Sequence, residues 1–82
     1  MAFVKMITGA QIRAARGMLG WSSAELAVRS DVSRRTVAKC ESEDGLADVN
    51  VSTIKKIIAA FEAAGIEFTG APDHRPGIVM KL

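Results

Sequence analysis

Apolar residues in the first two thirds of the chain recur at helical spacing. Thr8 stands three residues before Gln11, a capping-box interval, and Ile12, Ala15 and Leu19 then share one stripe. A helix is expected from about Gly9 to Leu19, stopped by Gly20. Ser22 and Glu25 repeat the interval, with the hydroxyl accepting from an early backbone N–H and the carboxylate expected to reach back. That starts a short second helix running to about Ser30. In Asp31-Val32-Ser33, Asp tolerates a left-handed turn and Ser33 is placed to cap a third helix over residues 34 to 42, with Val37 and Cys40 inward. Residues 43 to 50 include Asp44-Gly45 and hold no period, so they read as a loop with room for one helical turn. Ser52 is expected to cap a fourth helix in which Ile54, Ile57, Ile58 and Phe61 form the apolar stripe, Lys55, Lys56 and Glu62 take other faces, and Gly65 ends it. After Gly65 the pattern changes to two β-prone runs, residues 66 to 69 and 77 to 82, separated by a turn-rich loop, residues 70 to 76. The expected fold is mainly α: four helices and a C-terminal two-stranded β ribbon in one domain over residues 1–82.

Composition removes several functions. Apolar residues make up 49% and charged ones 24% of the chain, the balance of a folded globular protein rather than a disordered one. No apolar run approaches the roughly 20 residues that span a bilayer, and residues 1–6 are too short for a secretory signal, so the expected compartment is the cytoplasm. Translation from Met1 or from Met6 fits equally. The single cysteine, Cys40, has no second thiol for a disulfide or a metal, and its place on an inward stripe reads as packing. His74 stands alone in the Pro-rich loop, without companions for a metal or a catalytic site. Neither a nucleophile–base set nor a glycine-rich phosphate loop is present, so no enzyme and no cofactor are expected. A formal net charge of +2 says little about the partner, which leaves the distribution of charge to decide.

The distribution points to one place. Two short helices joined by a three-residue corner let one helix lie in a DNA major groove while the other braces it. Leu26, Ala27, Val32, Val37 and Cys40 would form the shared core of such a unit, with Ala27 small where the helices cross. Taking about 100° per residue, the outward face of the third helix carries Arg35, Ala38, Lys39 and Ser42, with Arg34 and Thr36 flanking. Arginine can pair bidentately with guanine, Lys39 can reach guanine or phosphate, and Ala38 permits close approach to a thymine methyl. Base contacts are therefore expected from Arg34, Arg35, Ala38, Lys39 and Ser42. Phosphate contacts are expected at the capped helix starts, Ser22, Ser23, Ser33 and Thr36, and from Arg29.

The stretch Arg16-Gly17-Met18-Leu19-Gly20-Trp21-Ser22, then Glu25-Leu26-Ala27, then Val32-Ser33-Arg34-Arg35-Thr36-Val37, ending at Glu41, resembles the phage-repressor and Cro-type (XRE) helix-turn-helix family of transcriptional regulators. The resemblance extends more loosely over residues 8–64, with the helix-turn-helix at 22–41, and implies a four-helix repressor-like DNA-binding domain. It also implies an ion pair between Arg16 and Glu41. The chain departs from the family pattern at Asp31, where Gly is usual, and at Ser23, where Gln is usual and often helps hold a phosphate or the recognition helix. Glu43, Asp44 and Asp48 are acidic where members commonly approach the DNA backbone, which would lower affinity.

Together these residues and spacings lead to the expectation of a sequence-specific regulator of double-stranded DNA, a repressor acting as a homodimer on a palindromic operator. The antitoxin of a toxin–antitoxin pair is a variant of this reading. A protein-interaction module that keeps the fold without binding DNA, its acidic segment at residues 41–48 facing a basic partner, belongs to a different class. Edge-strand logic gives the dimer to the β tail, residues 66–82, through Ile66, Phe68, Ile78 and Met80, or the alternate side chains in a shifted register; the alternative is a ribbon folded back on its own fourth helix in a monomer. Residues 2–6 could add a strand. Trp21 is expected to pack over the joint of the first two helices.

Overall fold

The structure, a computed structural model, describes residues 7–42, 49–71 and 74–81. Four helices, α1 (Gly9–Leu19), α2 (Ser23–Ser30), α3 (Arg34–Glu41) and α4 (Val51–Ala63), precede an antiparallel hairpin of β1 (Ile66–Ala71) and β2 (His74–Met80). Most of the loop expected at residues 43 to 50, with Glu43, Asp44 and Asp48, lies outside the described residues, as does the strand expected at 2–6.

Local chemistry explains the helix limits. Thr8 and Gln11 close a full capping box: Thr8 Oγ1 accepts from Gln11 N at 3.1 Å and Gln11 Oε1 from Thr8 N at 2.8 Å. Gly20, at φ 70°, turns the chain out of α1. Ser22 caps α2 by accepting from Glu25 N at 3.0 Å, but the reciprocal half of the expected box does not form. Glu25 sits one turn from Arg29, and its carboxylate lies 3.6 Å from that guanidinium instead. Asp31 ends α2 in the left-handed region (φ 59°, ψ 43°), a conformation worth roughly 1 kcal/mol less strain with Gly. Ser33 caps α3 through Thr36 N at 3.1 Å.

The start of α4 differs from the expectation. Asn50, not Ser52, is the cap, its Oδ1 accepting from Ser52 N at 3.0 Å and from Ser52 Oγ at 2.7 Å. Val51 is half exposed and off the inward stripe, so the apolar period carries no mark of this first turn. The hairpin also differs. Residues 74–76, expected in a loop, belong to β2, and a register shift between Thr69 and Ala71, with Gly70 at φ 73°, absorbs the mismatch.

All four helices and the ribbon share one core. Ile12 and Ala15 from α1, Leu26 and Ala27 from α2, Val32 from the corner, and Val37 and Cys40 from α3 meet Ile54, Ile57, Ile58 and Phe61 of α4. Phe61 organises the far side: Trp21, in the link between α1 and α2, stacks on it at 5.5 Å, and Phe68 of β1 meets it edge-on at 5.7 Å.

The ribbon lays one apolar face on its own helices. Ile66 and Phe68 are buried in the chain's own core, and Ile78 and Met80 are partly buried against it. A two-stranded ribbon is marginal alone, and covering its apolar face with the helical core contributes about 1.5–3 kcal/mol per large side chain buried. Ile66 and Phe68 are thus committed within one protomer, while Ile78 and Met80 keep part of their surface exposed. Among the described residues the sheet has two strands, so each keeps an unpaired edge, and Val79 remains half exposed.

Candidate nucleic-acid interface

α2 and the corner at Asp31–Ser33 lead into α3, which carries Arg34, Arg35 and Lys39 exposed on its outward side. Val37 and Cys40 are fully buried, which fixes the rotation of α3 and turns Arg34, Arg35, Ala38, Lys39 and Ser42 to solvent. Among the described residues none of Arg34, Arg35 and Lys39 has an acidic partner. Thr36 is half-buried and its hydroxyl accepts from Ser33 Oγ at 2.9 Å. Ser42 is less free than its position suggested, because its hydroxyl donates to Lys39 O at 2.7 Å and finishes the helix.

The two capped starts are those of α2, at Ser22, and of α3, at Ser33, where the corner closes. At Ser22 and Ser33 each hydroxyl serves one N–H, and helix geometry leaves the remaining first-turn N–H groups without an acceptor inside the helix. Ser22 and Ser33 are exposed and Ser23 is half-buried. These N–H groups suit phosphate oxygens. Arg29 has other engagements: its guanidinium carbon lies 4.5 Å from the centre of the Trp21 ring, in addition to the Glu25 contact.

The far end of α3 is fastened to α1. Arg16 Nε reaches Glu41 Oε1 at 2.6 Å and Nη2 reaches Oε2 at 3.3 Å, a forked pair, while Nη1 donates to Trp21 O at 3.0 Å. Arg13 Nη1 donates to the Glu41 carbonyl oxygen, one of the helix-end acceptors that no intrahelical N–H reaches. Nothing in the sequence marks Arg13, because it lies off the apolar stripe. Gln11 is marked only as a capping residue, yet its amide also donates to Gly77 O at 2.8 Å and Thr69 O at 3.3 Å, joining α1 to the ribbon.

Other chemistry is sparse. Burial, with the neighbouring Glu41 carboxylate, pushes the Cys40 thiol above its ordinary value, so it is a neutral packing group. No cluster of three His, Cys, Asp or Glu side chains fit for a metal occurs among the described residues. No described helix is long and apolar enough to cross a membrane.

Comparison with curated proteins gives no match. A family model described as helix-turn-helix matches residues 12–65, from within α1 to the end of α4 and so across every element that shapes this surface. The matched span is more than half of the chain, which belongs to the helix-turn-helix family of the XRE type, a family of DNA-binding regulators.

Proposed function

From a helix-turn-helix scaffold of this type, we propose that the protein recognises a specific double-stranded DNA sequence through α3 and acts as a dimeric repressor in the cytoplasm. The observation that carries the reading is the outward face of α3, where Arg34, Arg35 and Lys39 stand exposed without acidic partners among the described residues. Arg35 and Lys39, one turn apart, are presented to base edges, with Arg34, Ala38 and Ser42 beside them; Ser22, Ser23, Ser33, Thr36 and Arg29 hold the phosphates on either side. One short helix reads only a few base pairs, so specificity requires a second copy about one DNA turn, ~34 Å, away. With Ile66 and Phe68 inside the protomer, the outward Val79 and the ribbon edge, which has no partner strand among the described residues, are available for that association.

Selection of bound duplexes from a random pool tests the reading. The expected result is a palindromic site whose affinity falls steeply with salt. A pool that yields no enriched sequence would refute it, and an enriched single half-site bound by a sedimenting monomer would refute the dimer alone.

A further inference from the structure

One stripe of α1 seats the last turn of α3. Gly9, Arg13 and Arg16 follow one another at four and three residues and so share a helix face. Arg16 holds the Glu41 carboxylate and Arg13 its carbonyl oxygen. Gly9 has no side chain to offer and is buried; a Cβ there would lie 2.7 Å from Glu41 O and 2.9 Å from Cys40 O. Both opposing atoms are backbone, so no side chain can rotate away to make room. Alanine is the better helix former, and helix propensity gives no reason for Gly at this position. The close approach of the two backbones does.

We infer that Gly9, supported by Arg13, is a positioning residue for base recognition: it sets the seat of the α3 C-terminus and thereby the angle at which Arg35 and Lys39 are presented. The inference rests on α3 being the DNA-reading helix. An added methyl forces the end of α3 away from α1, and an eight-residue helix held at its start by the Ser33 corner pivots as a unit. A forked arginine–guanine pair fails when tilted, whereas a phosphate contact tolerates the change. The signature is loss of sequence discrimination with non-specific binding retained.

The full chain carries the test. Affinities for the selected duplex and for a scrambled duplex of equal length are measured at one salt concentration, below the thermal midpoint of each variant. Gly17, on the same helix, is the control, since a Cβ there meets nothing within 4 Å. The specific-to-scrambled ratio is expected to fall about tenfold in Gly9→Ala and less in Arg13→Gln, and to stay unchanged in Gly17→Ala. The charge removed in Arg13→Gln lowers both affinities and cancels in the ratio. An unchanged ratio in Gly9→Ala, or an equal fall on both duplexes, overturns the inference and leaves DNA recognition standing. Should Gly9→Ala fail to fold, the exposed Arg13 decides, and an unchanged ratio in Arg13→Gln overturns it. A wild-type chain that prefers no duplex overturns the functional reading first, and this inference with it.

Discussion

α2 and α3 are both eight residues long, and each begins at a serine whose hydroxyl accepts from the N–H three positions on. Their charges are treated in opposite ways. On α2, Glu25 and Arg29 face each other at 3.6 Å, Arg29 covers Trp21, and Asp31 at the helix end lies 3.9 Å from Lys56 of α4. On α3 the only acid, Glu41, is engaged by Arg16, while the three cations have no acidic partner among the described residues. Arg35 and Lys39 are four residues apart, a like-charge spacing that costs a few tenths of a kcal/mol in an isolated helix. A polyanion laid along this face would relieve that repulsion. The difference teaches that α2 is internally neutralised scaffold, and that α3 is fastened at its end and, among the described residues, left uncompensated along its face.

The largest expected effect comes from releasing the fastened end. Arg16→Ala removes a forked pair whose side chains are 24% and 12% exposed, together with the bond to Trp21 O. Leaving Glu41 unpaired there should cost about 3 kcal/mol, at the lower end for a buried pair because some solvent reaches it. Urea unfolding measures this, and a loss under about 1 kcal/mol would reduce the pair to an ordinary surface bridge.

Next in size is the uncompensated face. Arg35→Ala should weaken binding to the selected duplex by about 1–3 kcal/mol and relax preference at one base position. Lys39→Ala should weaken all sequences alike if its amine sits on phosphate. Equal binding of the wild type and the double variant would show that these cations serve something else.

Legibility in the sequence tracks the range of the interaction. The limits of α1, α2 and α3 lie in contacts spanning three or four residues, Thr8 to Gln11, Ser22 to Glu25 and Ser33 to Thr36, and these are written in adjacent letters. The rotation of α3 is equally readable from the spacing of Val37 and Cys40. The start of α4 is not, because Asn50 and Ser52 are both good caps and the exposed Val51 gives no phase. Contacts across the chain are least legible of all. Nothing near Gln11 announces Gly77, 66 residues later, and nothing near Gly9 announces the carbonyls of Cys40 and Glu41. The ribbon is readable as β structure, but what its apolar face packs on is a tertiary question: the pattern fits a partner or the chain's own fourth helix, and Ile66 and Phe68 lie buried in the chain's own core. The Arg16–Glu41 pair, also distant in sequence, comes from resemblance to a family and not from local pattern.

A smaller effect should appear on the inward face of α3. Cys40 is fully buried and its thiol is raised above the ordinary value of 9.0, chiefly by desolvation. The folded state therefore holds the proton where the unfolded chain releases it. The stability so contributed is complete below pH 9.0 and is lost as pH rises through the folded value, at no more than about 1.4 kcal/mol per pH unit. Urea midpoints at pH 8 and pH 10 should differ more for the wild type than for Cys40→Ala, and equal differences would place the alkaline loss elsewhere.

The smallest expected effect tests α2 itself. Glu25 and Arg29 are both about half exposed, so their pair contributes only about 0.3–0.5 kcal/mol, and Glu25→Gln should leave the urea midpoint almost unchanged. Ser22 still caps the helix in this variant, because its partner is the backbone N–H of residue 25 and not the side chain. Only the charge changes. Removing one anion beside Arg29 leaves that guanidinium, among the described residues, with the Trp21 ring and no acidic partner, like the cations of α3. If Arg29 lies within reach of a phosphate, affinity should rise a few-fold on selected and scrambled duplexes alike, and the salt dependence should steepen by up to about one ion. A gain confined to the selected duplex would instead place Arg29 at a base edge and extend the reading surface onto α2. No change on either duplex would leave Arg29 wholly to Trp21, and the contrast between a neutralised α2 and an uncompensated α3 would then be sharper than the charge pairs alone indicate.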